Sequence, residues 1–124
     1  MAMEQPVKAL GLVRDLFFRA KIDAVARAAG AGVSYASTLD SALGQCAEDS
    51  FAMVFADLSD ASLAAPDTVA RLRAAAPNAR LIGFASHVDL KALRSARDAG
   101  FDQTLSREQF TAQLPELLSS ARPA

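Results

Sequence analysis

Short apolar runs alternate along the chain with segments whose apolar residues recur at helical spacing, a pattern that predicts βαβ units around a parallel sheet. Residues 7–13 are nearly all apolar, as a strand covered on both faces requires, and predict the first strand. Phe18, Ile22, Val25, Ala26 and Ala29 then form one stripe of a helix whose other face carries Arg19, Lys21, Asp23 and Arg27; Gly30 supplies a left-handed stop. Residues 33–36 predict a short second strand, and Ser37 or Thr38 caps a second helix with Leu39, Ala42, Leu43 and Cys46 inward. The most continuous apolar run, 51–56, predicts a central third strand that breaks off in the polar turn 57–60. Pro66 and Asp67 suit the first turn of a third helix, in which Val69, Leu72 and Ala76 repeat before Pro77 and Asn78 end it. A fourth strand at 81–85, a fourth helix at 89–99 closed by Gly100, and a weak fifth strand at 103–105 follow. The last helix, 108–119, turns Phe110, Leu114, Leu117 and Leu118 inward, and Pro115 predicts a kink or a late start in it. The ends, 1–5 and 121–124, read as disordered, which leaves one domain over 1–124 with an ordered core of about 6–120.

Composition narrows the classes without naming a chemistry. Formal charges nearly cancel, 13 basic against 14 acidic with a pI near 5.7, so direct nucleic-acid binding is not expected. The single Cys46 has no internal disulfide partner, and no Cys/His cluster is spaced for zinc. No apolar run approaches the roughly 20 residues of a membrane helix, and the first eight residues lack the order of a signal peptide. A cytoplasmic protein without membrane contact is expected.

In an open parallel sheet ligands sit beyond the carboxyl ends of the strands. Those ends carry Arg14 and Asp15, then Asp57, then Ser86 and His87, then Ser106 and Arg107. Acids, a hydroxyl and a cation converging there suit an anionic phosphoryl group with Mg²⁺, since a hard cation takes carboxylate oxygens and a basic side chain neutralises phosphate. Each residue also has a plainer reading: Asp15 as the cap of the first helix, Asp57 as a turn cap, His87 as a solvated loop residue, Arg107 as an exposed pair with Glu108, and Phe17 and Phe18 as core. A flavodoxin-like cofactor carrier is not supported, because Gly30 and Gly32 close a helix instead of opening one and no cobalamin-binding Asp-x-His-x-x-Gly occurs.

The ordering of these elements, with the segments 51–58 (FAMVFADL), 81–87 (LIGFASH) and 99–107 (AGFDQTLSR), resembles the receiver domain of two-component response regulators over almost the whole chain. The resemblance implies a flavodoxin-like (CheY-like) α/β fold, a five-stranded parallel sheet of order 2-1-3-4-5 with helices on both faces. It places the family's phosphoacceptor on Asp57. The family's metal-holding acid pair falls on Arg14 and Asp15, so one acid is missing; its lysine falls on Arg107, and the proline that follows on Glu108. Its hydroxyl after the fourth strand falls on Ala85, or on Ser86 if the loop is one residue shorter, and its aromatic switch on Thr104. Leu58-Ser59-Asp60-Ala61 stands where the family has Met-Pro.

This set implies a degenerate, or pseudo-, receiver: a non-enzymatic signal-transduction module without cofactor. Its contacts, with a protein partner or itself, are expected on the face of the fourth helix, fifth strand and fifth helix, where Lys91, Arg94, Arg97, Asp98 and Gln113 are expected exposed. In the pocket, Arg14 is expected to bring a positive charge toward Asp57 and Asp15, with Arg107 on the far side. The alternative is a working receiver that takes a phosphoryl group from a histidine kinase on Asp57, with Asp15 and Asp57 holding Mg²⁺.

Overall fold

The computed structural model describes residues 7–120, so the ends read as disordered lie outside the described residues. Its elements are β1 (Lys8–Leu12), α1 (Leu16–Ala28), β2 (Gly32–Ala36), α2 (Leu39–Glu48), β3 (Met53–Asp57), a 3-10 turn (Ala61–Ala64), α3 (Pro66–Ala75), β4 (Arg80–Ala85), α4 (Leu90–Ala99), β5 (Gln103–Ser106) and α5 (Arg107–Ser120). All the strand pairs are parallel, in the order β2-β1-β3-β4-β5, so the three most apolar runs occupy the interior of the sheet as expected.

Side chains on successive strand residues point to opposite faces, and this divides the core in two. Met53 and Phe55 of β3 join Ile82, Phe84, Phe18, Ile22 and Phe110 beneath α1 and α5. Val54 and Ala56 join Leu10, Leu12, Leu72, Leu81 and Ala96 beneath α2, α3 and α4. On the first side the rings of Phe84 and Phe110 stack at 4.6 Å, and Phe18 lies 5.3 Å from Phe84. Cys46 is half-buried against the second cluster, where burial pushes its thiol pKa up and leaves it in the inert protonated form.

The helix ends follow their caps. Thr38, not Ser37, caps α2 through Ser41 N–H, Asp89 caps α4 through Ala92 N–H, and Pro66 opens α3 at its first position. Gly30 and Gly100 take positive φ, 72° and 115°, as the expected helix stops.

Three expectations are corrected. Phe17 is not core: it is 91% exposed, because the cap at Asp15 sets a helical phase that turns Phe18, Ile22 and Ala26 inward and the residue before Phe18 out. The last helix has no late start, beginning at Arg107 and continuing through Pro115; that proline is exposed, so the carbonyl it leaves without a donor can meet water. Gln113 is half-buried, whereas Lys91, Arg94, Arg97 and Asp98 are exposed as expected.

Candidate functional site

The side chains of Asp15 just after β1, Asp57 at the end of β3 and Arg107 just after β5 converge, with the Arg107 guanidinium over the Phe18 and Phe84 rings. Asp57, the last residue of β3, is buried. The turn that follows is pinned from below: Leu58 N–H donates to the Phe84 carbonyl at 2.9 Å, and the Leu58 side chain fills the space beside Gly83, where a Cβ would stand 2.9 Å from its Cδ1. So held, Asp57 accepts the Ser59 N–H on Oδ1 at 3.0 Å and turns Oδ2 toward Arg107.

Arg107 is delivered by its own cap. Ser106 Oγ accepts the Gln109 N–H at 3.0 Å while Gln109 Oε1 accepts the Ser106 N–H at 2.9 Å, the reciprocal pair of a capping box. That box makes Arg107 the first residue of α5 and points its side chain back over the sheet. Its guanidinium carbon lies 4.8 Å from the Phe18 ring centre and 5.8 Å from that of Phe84. From there one terminal nitrogen reaches Asp57 Oδ2 at 3.3 Å and the other lies 3.8 Å from Asp15 Oδ2. The plainer reading of Arg107 as an exposed pair with Glu108 is therefore not what the structure shows; Glu108 instead stands 3.6 Å from His87 Nδ1.

Asp15 takes the first of the two roles the sequence left open, the cap of α1. Its Oδ1 caps α1 through the Phe17 and Phe18 N–H groups at 2.9 and 3.1 Å, and its Oδ2 faces Arg107.

The expected approach of Arg14 to Asp57 and Asp15 is corrected: no ion pair joins Arg14 to either. Its Nε donates to the Ser37 carbonyl at 3.0 Å and its terminal nitrogen lies 3.9 Å from Asp60. The cause is the sheet order, since β2 flanks β1 and the carbonyl just beyond β2 lies within the arm's reach. Arg14 still lines, with Leu12, Ser37, Asp57, Ser59, Asp60 and Leu63, a small pocket of about 40 Å³.

Ala85 is the buried last residue of β4 and Ser86 opens an exposed loop. The Ser86 hydroxyl accepts a long 3.5 Å contact from Val88 N–H and makes no hydrogen bond to Asp57. Thr104 stands away from the carboxylates, lining a groove with Leu90, Leu93, Arg94 and Arg97.

The structure thus brings together Asp57, Asp15 and Arg107 and leaves Arg14, Ser86 and Thr104 outside that contact. The residues the sequence reading missed are Gln109, Phe84 and Ser59; the spacing Ser106-x-x-Gln109 was the signal for the first of them. Among the described residues no group of three His, Cys, Asp or Glu side chains is arranged to hold a metal ion.

No family model matches the chain, and no curated protein matches it. Solved structures do. A response regulator from Thermotoga maritima superposes with a TM-score of 0.78 at 14% identity, over 94% of this chain and 98% of the other. The chemotaxis response regulator CheY4 of Vibrio cholerae gives 0.73 at 14% identity, over 94% and 99%. A response regulator protein from Burkholderia pseudomallei, solved with a phosphorylated aspartic acid, calcium ion and citrate, gives 0.67 at 19% identity, over 95% and 76%. With the sheet order and the near-complete coverage, these likenesses show that the chain has the flavodoxin-like fold of response-regulator receiver domains.

Proposed function

We propose that the protein is a non-enzymatic signal-transduction module, a degenerate receiver that acts through protein contacts on the face of α4, β5 and α5, in the cytoplasm. The observation that carries this reading is Arg107 lying between Asp57 and Asp15. A receiver's Mg²⁺ needs clustered carboxylate oxygens with uncompensated negative charge. Here one oxygen of Asp15 is committed to the cap of α1, the other faces a guanidinium, and the accessible oxygen of Asp57 faces the same guanidinium. The donor set does not fit a hard divalent ion, so no step is derived through one. Thr104 removes the second requirement, since its small side chain has no ring to move between an inner and an outer position.

Incubation with a small phosphodonor and Mg²⁺, followed by intact-mass measurement, tests this. The expected result is no added phosphoryl group; a phosphorylated Asp57 overturns it. The second reading, a working phospho-receiver for a histidine kinase, is favoured by the position of Asp57 at the carboxyl end of β3 beside a small open pocket. The phosphorylated aspartic acid of the Burkholderia pseudomallei protein supports it too.

A further inference from the structure

Two arginines converge on Ser37, a residue of the loop between β2 and α2. Thr38 already caps α2, so the Ser37 hydroxyl is left over; it is exposed and accepts a contact from Arg19 Nη2 at 3.3 Å. Arg14 Nε donates to the Ser37 carbonyl at 3.0 Å, which leaves the terminal nitrogens of that side chain only the 3.9 Å approach to Asp60. Among the described residues no other serine has two guanidinium groups on it.

Arg19 is held in place before any anion arrives. Its Nε donates to the Val13 carbonyl at 2.6 Å, and its guanidinium carbon lies 4.9 Å from the Tyr35 ring centre. It has no ion pair among the described residues, and Asp23, one turn on, is taken up by the Tyr35 hydroxyl at 2.8 Å. A neutral hydroxyl at 3.3 Å is a long, weak acceptor for a fixed cation, whereas a charged oxygen there would make short bonds to both arginines. The first-turn N–H groups of α2, which have no helical carbonyl to reach, favour negative charge at the same end. Two acids oppose it, Asp60 and, in the first turn of α2, Asp40; each lies 3.9 Å from a guanidinium, of Arg14 and Arg71 respectively.

We propose that Ser37 is a phosphorylation site and that Arg14 and Arg19 are the receptor for its phosphoryl group. The donor is a nucleoside triphosphate brought by a serine kinase. Its γ-phosphorus bonds to Ser37 Oγ and parts from the bridging oxygen, the diphosphate leaves, and the hydroxyl proton passes to a base of the kinase. The product carries a charge of about −1.5 to −2 and three acceptor oxygens. Arg19 takes one oxygen on a fork already in position, and Arg14 swings from Asp60 to a second. A phosphate ester from solution would meet the same cations but must also lose its translational freedom, which attachment to Ser37 avoids. Arg14 and Ser37 line the same small pocket as Asp57, Ser59 and Asp60, so the modification draws a positive charge away from that pocket. The site lies outside the contact of Asp57, Arg107 and Asp15 and goes beyond the protein-contact reading, since it gives the module an input that Asp57 does not have to supply.

The test encodes phosphoserine at position 37 of the full chain and compares it with the unmodified protein by urea denaturation and NMR. The expected result is a folding equilibrium shifted about five- to thirtyfold toward the folded state, the equivalent of one net charge-assisted hydrogen bond. The Nε–H signals of Arg14 and Arg19 and the amide of Asp60 should move with it. Arg19→Gln and, separately, the exposed Arg14→Gln each reduce that gain at least about threefold; each comparison is made within one background, so destabilisation by the variant itself cancels. Peptide mapping of the protein isolated from the cells that make it is expected to find phosphate on Ser37. No gain in stability, a gain indifferent to both arginines, unmoved arginine signals, or a Ser37 peptide unmodified throughout growth overturns the inference. So does saturable binding of millimolar inorganic phosphate to the unmodified chain with the same shifts, which would make the loop a receptor for free anions. Aspartyl phosphate on Asp57 would overturn the degenerate reading and leave every Ser37 result standing, so the two failures are distinguishable.

Discussion

Removing the guanidinium of Arg107 should cost stability in an amount that its surroundings fix. Arg107→Ala loses the 3.3 Å pair with Asp57, the 3.8 Å approach to Asp15 and the stacking on Phe18. Exposed ion pairs contribute about 0–1 kcal/mol, whereas stripping the partner from a fully buried charge costs about 3–5 kcal/mol. This pair lies between those limits, since the Asp57 side chain is 10% exposed and that of Arg107 36%. Asp57 also keeps the Ser59 N–H, which moderates the loss. The expected coupling is about 1–2 kcal/mol, with the lost cation–π contact adding about 0.5–1 kcal/mol to the single mutant. A double-mutant cycle of Arg107→Ala with Asp57→Asn, read by urea denaturation, separates the two contributions. Because the pair is partly buried, most of the coupling should survive in concentrated salt. A coupling below about 0.3 kcal/mol, or one that salt abolishes, would show Arg107 to be an ordinary surface cation and refute the argument.

Other consequences follow from single contacts. A Cβ on Gly11 would stand 2.5 Å from the buried Phe55 ring, so Gly11→Ala should destabilise the fold by about 1–3 kcal/mol in a denaturant titration. Ser106→Ala removes half of the capping box at α5 and should cost about 1 kcal/mol in the same measurement, with loosening of Arg107 visible in its side-chain NMR signal. Tyr35 is the only tyrosine, and burial together with its hydrogen bond to Asp23 pushes its phenol pKa above the ordinary 10.0. The unfolded chain therefore releases this proton first, so the stability Tyr35 contributes is complete below pH 10.0 and is lost as the pH rises beyond it. Phenolate absorbance should appear late in the folded protein, and Tyr35→Phe should weaken the alkaline loss of stability; phenolate appearing at the ordinary pH would contradict this.

The fold was legible because its main determinant, continuous apolar runs between amphipathic helices, is local. The runs 51–56 and 81–85 could only be interior strands, and they are. The phase of α1 was legible in Phe18, Ile22 and Ala26, and it is this phase that turns Phe17, read from the sequence as core, out to solvent. The site was legible only in part. Asp57, Asp15 and Arg107 were visible as the charged residues at the ends of three strands, but which arginine faces Asp57 depends on reach across the sheet. Arg14 and Arg107 are equivalent by sequence; β2 offers Arg14 the Ser37 carbonyl, whereas the capping box and the Phe18 and Phe84 rings direct Arg107 inward.

The most direct test of the central claim, that Arg107 takes the place of a metal between Asp15 and Asp57, is a Mg²⁺ titration of the unmutated protein and of Arg107→Ala, followed at the amides of Asp15, Asp57 and Ser59. The expected result is no saturable shift in the unmutated protein at millimolar Mg²⁺ and a saturable one at those amides once the guanidinium is gone, because two carboxylates then face each other without compensation. Saturable Mg²⁺ binding by the unmutated protein at those same amides would contradict it.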